Sequence, residues 1–308
     1  MTIALISHPK CLLHNPGIEH PESPERLRVI SKELGLEGLE PFLIHEIAPL
    51  VSREQLSRVH TEDYIDSLLQ LTPHDGVITI DADTVISPHT LLAARYAAGA
   101  VVFAVDLVLS DRQLNTAFCN IRPPGHHAER ARAMGFCFFN NLAVGVAHAL
   151  MHYHLSRVAI IDFDAHLGNG TEDIFQNNKK VLICSIYQQK LYPYSEAPIQ
   201  AKNIIHIPLD AGATGREFRA EIIQYGLDKI KAFKPELIFI SAGFDGHKQD
   251  QLSDLNLTEF DYLWISQQIR QIANLYSHGR IVSVLEGGYA LNALGQCVAA
   301  HLKGLLGQ

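Results

Sequence analysis

The chain has 308 residues, of which 47% are hydrophobic and 19% are charged, and its formal net charge at pH 7 is −8. This composition excludes wholesale disorder, and the acidic balance argues against a non-specific nucleic-acid binder, which normally carries a basic face. The length suits one large α/β domain or two small ones.

The first residues and the cysteines bear on cellular location. Residues 1–7 lack a basic stretch followed by a long apolar core, so no secretory signal is expected. No apolar run is judged long enough to span a bilayer. The five cysteines are odd in number and contain no C-x-x-C pair, which argues against a disulfide framework or a thiolate zinc site. We therefore expect a protein of the reducing cytoplasm, without membrane or nucleic-acid partners.

In chain order, the first 80 residues are the least regular, and we expect them to wrap the sheet edge or the mouth of a site. Ser87-Pro88 then predicts the start of a long Ala/Val/Leu helix. Further helices are predicted over residues 216–233, from the capping box at Thr258 to near Gly279, and over residues 290–306. The predicted strands are Thr116–Cys119, Val158–Phe163, Val181–Ile186, Ile204–Ile207, Leu237–Ser241 and Ile281–Leu285.

These strands are mostly apolar throughout, which is typical of a parallel sheet covered on both faces. Their alternation with helices predicts a three-layer α/β/α fold with a central, mostly parallel sheet. No linker and no internal repeat divides the chain. Ligands of such sheets bind beyond the carboxyl ends of the strands, so the residues that leave each strand are the candidates for chemistry.

Polar residues follow four of the predicted strands. The strand Val158–Phe163 is followed by Asp164 and His166, and Leu237–Ser241 is followed by Asp245; the other two strands lead to the pair His126-His127 and to Glu286-Gly-Gly-Tyr289. Carboxylate and imidazole are suitable ligands for a first-row metal. Each motif alone has an ordinary explanation: a strand-end polar residue, a surface histidine pair, a helix cap or a turn. The joint arrangement at one edge is far less probable by chance.

Together these residues resemble the histone deacetylase superfamily, which shares its fold with the arginases. The resemblance is greatest to class II-like bacterial members, the histone-deacetylase-like amidohydrolases and the acetylpolyamine amidohydrolases. Five segments carry it in order along most of the chain: His20–Leu27, Arg122–Asn141, Asp162–Thr171, Ser241–Asp245 and Glu286–Tyr289. The resemblance implies a single deacetylase domain over residues 1–308.

The resemblance also implies a catalytic metal site. Asp164, His166 and Asp245 match the zinc ligands, with Fe²⁺ as an alternative ion, and leave a fourth position open. His126 and His127 match the tandem histidines, of which one takes a proton from water and the other protonates the leaving amine. We expect His127 to be the base.

Three further residues have implied catalytic roles. Asp162 matches the carboxylate that holds His126. Asn169 lies behind His127, where some relatives have an aspartate; an amide adds no negative charge there, so it leaves His127 neutral. Tyr289 matches the tyrosine whose hydroxyl donates to the developing oxyanion.

Other residues are implied to form the substrate channel and a structural cation site. Gly135 and Phe136 match one wall of an acyl-lysine channel, Tyr192 is placed like the opposite wall, and Gly288 adjoins the catalytic tyrosine. Core packing remains open for Tyr192, because the segment 187–197 matches poorly. A K⁺ or Na⁺ ion is implied at Asp162, Asp164, His166, Ser185 and Ile186. The chain departs from the family at Leu167, which replaces a second histidine.

Several alternatives remain. A dinuclear ureohydrolase of the arginase type would need extra carboxylates where the chain has Gly168 and His247. A non-catalytic acyl-lysine-binding module would be expected to lack the tyrosine or a ligand. The substrate could be acetylated lysine or an acetylated small amine, and a homo-oligomer is left open. Candidates for carboxylates at the mouth are Asp81, Asp83, Glu129 and Glu22, each more simply explained as solvated. His148 and His152, spaced i, i+4, are expected on a helix surface, with an adventitious metal pair as the alternative; His60 is expected to be structural, and the other histidines to be ordinary.

Overall fold

A computed structural model describes residues 2–110, 114–194 and 199–308. Its strands are β1 (Ile3–Ser7), β2 (Leu43–Ile47), β3 (Ile78–Thr79), β4 (Val85–Ile86), β5 (Thr116–Cys119), β6 (Val158–Asp162), β7 (Val181–Gln188), β8 (Ile204–Leu209), β9 (Leu237–Ala242) and β10 (Ile281–Leu285). Within these ranges, eight strands form one sheet in the order β2-β1-β5-β10-β9-β6-β7-β8, and every pairing in it is parallel. The short strands β3 and β4 form a separate antiparallel pair.

The helices are α1 (Glu25–Leu36), α2 (Arg53–Ser57), α3 (Glu62–Gln70), α4 (Thr90–Leu109), α5 (Asn141–His152), α6 (Asn169–Phe175), α7 (Gly215–Glu221), α8 (Asp228–Phe233), α9 (Glu259–Tyr276) and α10 (Leu291–Leu306). A π-helical segment, Ile222–Leu227, joins α7 to α8, and two short 3₁₀ turns cover Pro9–Leu13 and Glu40–Phe42. Helix α9 begins at the expected capping box, where Thr258 and Asp261 bond each other's backbone.

Side-chain alternation along the strands places helices on both faces of the sheet. Ser283 of β10 hydrogen-bonds His301 of α10, whereas Phe239 of β9 lies against Gly145 of α5. Ser283 is in register with Ile240, the residue after Phe239, and successive strand residues point to opposite faces. Helices α10 and α5 therefore cover opposite faces, which confirms the three-layer fold.

All six predicted strands are present, with ends that differ by at most two residues from the prediction. The predicted helix over 216–233 contains the π segment, and α4 begins at Thr90, two residues later than the Ser87-Pro88 signal indicated. The first 80 residues do extend one sheet edge, but they do so as two regular strands, β1 and β2, that the sequence pattern did not predict.

Helix α4 corrects the expectation that no apolar run could span a bilayer. Its 20 residues, Thr90–Leu109, are long and apolar enough to do so by length and composition. In the fold, however, 72% of the apolar stretch of this helix is buried, and α4 packs against α5, β1, β5 and β10. Its apolar character is therefore explained by a position in the core.

The order of the strands determines where polar residues can meet. Strands β5, β10, β9 and β6 are consecutive in the centre of the sheet, and they are the four strands whose carboxyl ends carry the polar motifs. Because parallel strands end at the same edge, four segments distant in sequence meet there.

Candidate active site

Three side chains converge at this edge in the way that a metal site requires. Nδ1 of His166 lies 3.0 Å from Asp164 Oδ1 and 3.1 Å from Asp245 Oδ2. Nε2 of the same ring faces the carbonyl oxygen of Leu252 at 3.2 Å, so Nε2 carries a proton. In the neutral ring, the lone pair of Nδ1 then points between two buried carboxylates, which suits a divalent cation held by one nitrogen and two oxygens.

Gly287 explains why a glycine pair precedes Tyr289. Its N–H donates to Asp164 Oδ2 at 2.8 Å. A Cβ atom at this position would lie 2.0 Å from Asp245 Oδ2 and 2.6 Å from Asp164 Oδ2. The backbone can approach both carboxylates only because residue 287 has no side chain.

A second cluster of potential ligands, His247, Glu259 and Cys297, lies beside the first. Nδ1 of His247 accepts a hydrogen bond from the backbone N–H of Gln249 at 3.2 Å. Nε2 must then carry the proton in the neutral ring, and it faces Glu259 Oε1 at 3.4 Å. A protonated nitrogen cannot bind a metal, so we interpret this cluster as a buried histidine that faces a partly exposed glutamate.

The tandem histidines face partners of different charge. His126 Nδ1 lies 3.1 Å from the Asp162 carboxylate, and His127 Nδ1 lies 2.8 Å from the amide oxygen of Asn169. Both partners accept hydrogen bonds, so each ring carries a proton on Nδ1. The Nε2 atom of a neutral His127 is then free to accept a proton.

The electrostatic surroundings drive the pKa values of the two rings apart. Burial lowers the pKa of His126, but the charges of Asp164 and Asp162 outweigh burial and raise it to about 10. Burial, together with the charges of His126 and His166, lowers the pKa of His127 well below its usual value. The first ring is therefore favoured as a cation and the second as a neutral base.

Glu286 supports the histidine pair through the backbone. Its Oε2 atom accepts hydrogen bonds from the N–H groups of Gly125 and His126, at 2.7 and 3.1 Å. The side chain is fully buried, and burial raises the pKa of its carboxyl to about 7. Sequence reasoning did not single out this residue, although it belongs to the recognised Glu286–Tyr289 segment.

Tyr289 is positioned by two residues that sequence reasoning also missed as contributors to the site. Its N–H donates to Asp250 Oδ2 at 2.6 Å, as does that of Ala290 at 2.9 Å. The Arg26 guanidinium lies over the Tyr289 ring, 4.8 Å from its centroid, and donates to the carbonyl oxygen of Gly288 at 2.7 Å. Burial raises the pKa of the Tyr289 hydroxyl well above its usual value, so the group remains a donor.

A cavity of about 230 Å³ opens beside these groups. The predicted wall residues Gly135, Phe136 and Tyr192 line it together with Tyr289. The ring centroids of Phe136 and Tyr289 are 5.7 Å apart, and those of Tyr192 and His127 are 5.0 Å apart. Gly288 is buried and is not among the residues that line the cavity.

Gly135 has a φ of +55° and fits between two rings. A Cβ atom there would lie 2.6 Å from His127 Cδ2 and 2.9 Å from Tyr192 Cε1. Phe136 is also left-handed, with a φ of 67°, and its N–H donates to Thr84 Oγ1 at 3.2 Å. This unusual backbone aims the Phe136 ring into the cavity wall.

The four carboxylates considered for the mouth occupy different places. Asp83 lines the cavity, and Asp81 accepts hydrogen bonds from backbone N–H groups of its own turn. Glu129 accepts from the side-chain amide of Asn169. The expectation of a solvated Glu22 is wrong: this side chain is fully buried and is paired with Arg122 and Arg26.

The predicted monovalent-cation site comprises residues of two neighbouring strands, β6 and β7, and of the loop that follows β6. Asp162 of β6 is in register with Ser185 of β7. The Ser185 hydroxyl is buried without a hydrogen-bond partner among the described residues, which is a gap that a cation could fill. Leu167, the departure from the family pattern, is buried, and its carbonyl oxygen accepts from Asn169 N–H at 2.8 Å.

Five further histidines among the described residues are buried, and His148 and His60 are two of them. His148, expected on a helix surface, is 5% exposed and is bonded to Asp106 and Arg58. His60 is also buried: its Nδ1 faces the carbonyl oxygen of Glu129 at 3.0 Å, and its Nε2 accepts from Asn140 N–H at 3.0 Å. His60 thus joins two loops behind the site, as the structural interpretation expected.

Comparisons with known proteins point to one family. A model described as the histone deacetylase domain matches residues 20–305. A probable deacetylase of Archaeoglobus fulgidus is 36% identical over 94% of this chain and 82% of its own length. A histone deacetylase-like amidohydrolase of Pseudomonas aeruginosa is 33% identical over 94% of this chain and 77% of its own.

Longer proteins match as well. The type-2 histone deacetylase 2 of Dictyostelium discoideum is 35% identical over 99% of this chain, which spans only 21% of that protein. Among solved structures, the HD domain of HDA15 superposes with a TM-score of 0.92 at 29% identity, over 100% of this chain and 90% of that one.

Proposed function

The chain belongs to the histone deacetylase family, and from its site we propose a zinc-dependent amidohydrolase that removes acetyl groups from lysine side chains. The observation that carries the proposal is the convergence of Asp164 and Asp245 on Nδ1 of His166, next to a histidine that can accept a proton. The single domain of residues 1–308 would be the catalytic unit, working in the cytoplasm without nucleic-acid or membrane partners.

Asp164, His166 and Asp245 would hold the Zn²⁺ ion, or Fe²⁺ as the alternative. Such an ion, when bound, polarises the amide carbonyl and lowers the pKa of a water molecule. Nδ1 of His166 and the carboxylate oxygens of the two aspartates face one another and supply three ligand atoms. A zinc ion is usually bound by four ligands, so three protein ligands support a site whose fourth position is open to water or substrate.

His127 would take the proton of the attacking water on Nε2, because Nδ1 is committed to Asn169. His126, held as a cation by Asp162, would give a proton to the nitrogen of the leaving amine. Both transfers are needed: the water must lose a proton to attack the carbonyl carbon, and the nitrogen must gain one so that the C–N bond breaks to release a neutral amine.

Tyr289 would donate its hydroxyl proton in a hydrogen bond to the oxyanion that develops on the carbonyl. Phe136 and Tyr192 would hold an aliphatic linker between rings at the cavity wall. A K⁺ or Na⁺ ion at Asp162, Asp164, His166, Ser185 and Ile186 would stiffen the strand ends that carry the ligands.

Acetylated small amines are the second candidate substrate class. The Asp83 carboxylate lines the cavity and could attract a cationic amine, and the net charge of −8 is compatible with such substrates. The names of the relatives, which include histone deacetylase and amidohydrolase, support amide hydrolysis but do not choose between the two substrate classes.

The proposal is tested with the purified protein on acetyl-lysine peptides, acetylputrescine, acetylspermidine and longer acyl-lysines. We expect hydrolysis of acetyl-lysine that a chelator abolishes and Zn²⁺ restores, with one bound divalent ion per chain by elemental analysis. Preference for the polyamines would assign the second class. Two divalent ions per chain would favour the arginase-type hydrolase, and no hydrolysis with a loaded site would favour a binding module.

A further inference from the structure

Asn169 connects His127 to a third side chain. Its Oδ1 atom lies 2.8 Å from His127 Nδ1, and its Nδ2 atom donates to Glu129 Oε1 at 2.8 Å. The remaining contact of Nδ2 is with the sulfur of Met134 at 3.4 Å, which is a weak acceptor. The carboxylate of Glu129 is therefore the strong partner of the amide nitrogen.

The two ends of an amide differ in hydrogen bonding, whereas an ionised carboxylate only accepts. With the amide turned over, Oδ1 would face the carboxylate oxygen of Glu129 and no proton would lie between them. Glu129 thus allows only the orientation that presents Oδ1 to His127. An oxygen in that place requires a proton on Nδ1 of His127, which leaves Nε2 unprotonated in the neutral ring.

From this chain of contacts we propose that Glu129 is a positioning residue: it fixes the amide orientation of Asn169, and through it the tautomer of His127. The proposal rests on the proposed function for its catalytic consequence, though not for the tautomer itself. It gives a role to a carboxylate that the sequence pattern had placed at the mouth of the site.

The backbone holds Glu129 in place independently of its carboxylate. Its N–H donates to the carbonyl oxygen of Arg132 at 2.9 Å, and its own carbonyl oxygen accepts from His60 at 3.0 Å. A change at the carboxylate can therefore leave the loop intact. The side chain is only half-buried, but the requirement for a donor opposite an acceptor does not depend on full burial.

A double-mutant cycle tests the proposal. Glu129→Gln lets the neighbouring amides pair in either orientation, so we expect kcat to fall about tenfold with KM little changed. Asn169→Asp places two carboxylates opposite each other, so a similar or larger loss is expected. The double variant restores one donor and one acceptor, because the introduced glutamine can donate to the introduced aspartate while that aspartate accepts from His127. In the double variant the charge of the introduced aspartate raises the pKa of His127, so the acidic limb of the pH–rate profile should move to higher pH. On the plateau above that limb, kcat should return to within about threefold of the parent.

The matched control is Glu54→Gln, at a glutamate whose side chain is 81% exposed; it should leave kcat unchanged. A merely structural role of Glu129 predicts losses that multiply in the double variant, and that outcome would overturn the proposal.

A second readout does not depend on the reaction. Ring ¹⁵N chemical shifts of His127 in the metal-loaded protein should report the Nδ1–H tautomer in the parent and a tautomer mixture in the Glu129→Gln variant. An unchanged tautomer in that variant would refute the proposal even in a protein without deacetylase activity, whereas a shifted tautomer would support it there. The failure of the assigned activity is thereby separated from the failure of this inference.

Discussion

His126 and His127 are adjacent in the chain, yet their Nδ1 atoms meet a carboxylate in one case and a neutral amide in the other. The distances are similar, at 3.1 and 2.8 Å, so the difference between the rings is one of charge. One ring is stabilised as a cation and the other is not. This asymmetry divides the two proton transfers of amide hydrolysis between neighbouring residues.

We expect His127→Gln to lower kcat by about 10²–10⁴-fold, because the base that receives the water proton is lost. The metal content, measured by elemental analysis, should stay the same, since His127 is not a proposed ligand. His148→Gln is the control: that ring is also buried, but it is bonded to Asp106 of α4. Retention of full activity by His127→Gln would remove the assigned role.

Tyr289→Phe should reduce kcat on acetyl substrates by about 10²–10³-fold, the usual cost of losing one donor to an oxyanion. The ring packing against Phe136 and Arg26 should survive, because only the hydroxyl is removed. The variant is compared with the parent by steady-state kinetics and metal analysis. Tyr225→Phe, at an exposed ring, is the control. A metal-depleted variant or undiminished turnover would contradict the assignment.

The buried ion cluster around Glu22 should contribute strongly to stability. Burial would raise the pKa of Glu22, but the charge of Arg122 and the contact with His14 hold it well below its usual value. Glu22→Gln leaves the buried Arg122 guanidinium without its anion, and we expect a loss of about 3–5 kcal/mol in the free energy of unfolding. Denaturant titration measures the free energy of unfolding of this variant, of the parent and of the control Glu25→Gln, at an exposed glutamate. If Glu22→Gln were as stable as the control, the cluster would not have the stabilising role expected here.

His60 should make the stability depend on pH. Burial lowers its pKa to about 4, and its Nε2 lone pair already accepts from Asn140 N–H. Between pH 6.5 and 4 the unfolded chain binds a proton at this residue that the folded protein does not. The unfolding free energy therefore decreases as the pH is lowered through this window, by about 3 kcal/mol in total from this residue.

Urea titrations from about pH 7 to pH 4 measure this contribution as the difference in pH dependence between the parent and His60→Gln. The variant should be less stable at neutral pH but should lose less stability on acidification. His45→Gln, at an exposed ring, should follow the parent curve. Parallel curves for the parent and His60→Gln would show that the ring is not the titrating group.

The central strands could be predicted because each is buried on both faces and so forms an unbroken apolar run. The edge strand β2 could not, because the polar residues His45 and Glu46 interrupt its apolar run where the strand meets solvent. The neighbouring strand β1 was not predicted either, although it is apolar and pairs on both sides. Similarly, the convergence of Asp164, His166 and Asp245 follows from the geometry of parallel strand ends.

The supporting residues depend on contacts that spacing does not encode. Glu286 accepts hydrogen bonds from N–H groups of a loop about 160 positions earlier in the chain. Asp250 accepts a hydrogen bond from the N–H of Tyr289, about 40 positions later. Neither contact leaves a periodic or local pattern. The buried state of Glu22 is likewise set by Arg122, 100 positions away.

The two central strands, β10 and β9, are the last strands of the chain and lie between β5 and β6. A nascent chain that has emerged only as far as β8 holds two separate sets of strands with a gap where the middle of the sheet will be. Asp245 can reach Asp164 once β9 pairs with β6, but the sheet becomes continuous, and Tyr289 reaches the site, only after β10 has been synthesised. Folding is thus governed by contacts of long sequence separation, which predicts slow assembly and dependence on the intact C-terminal third.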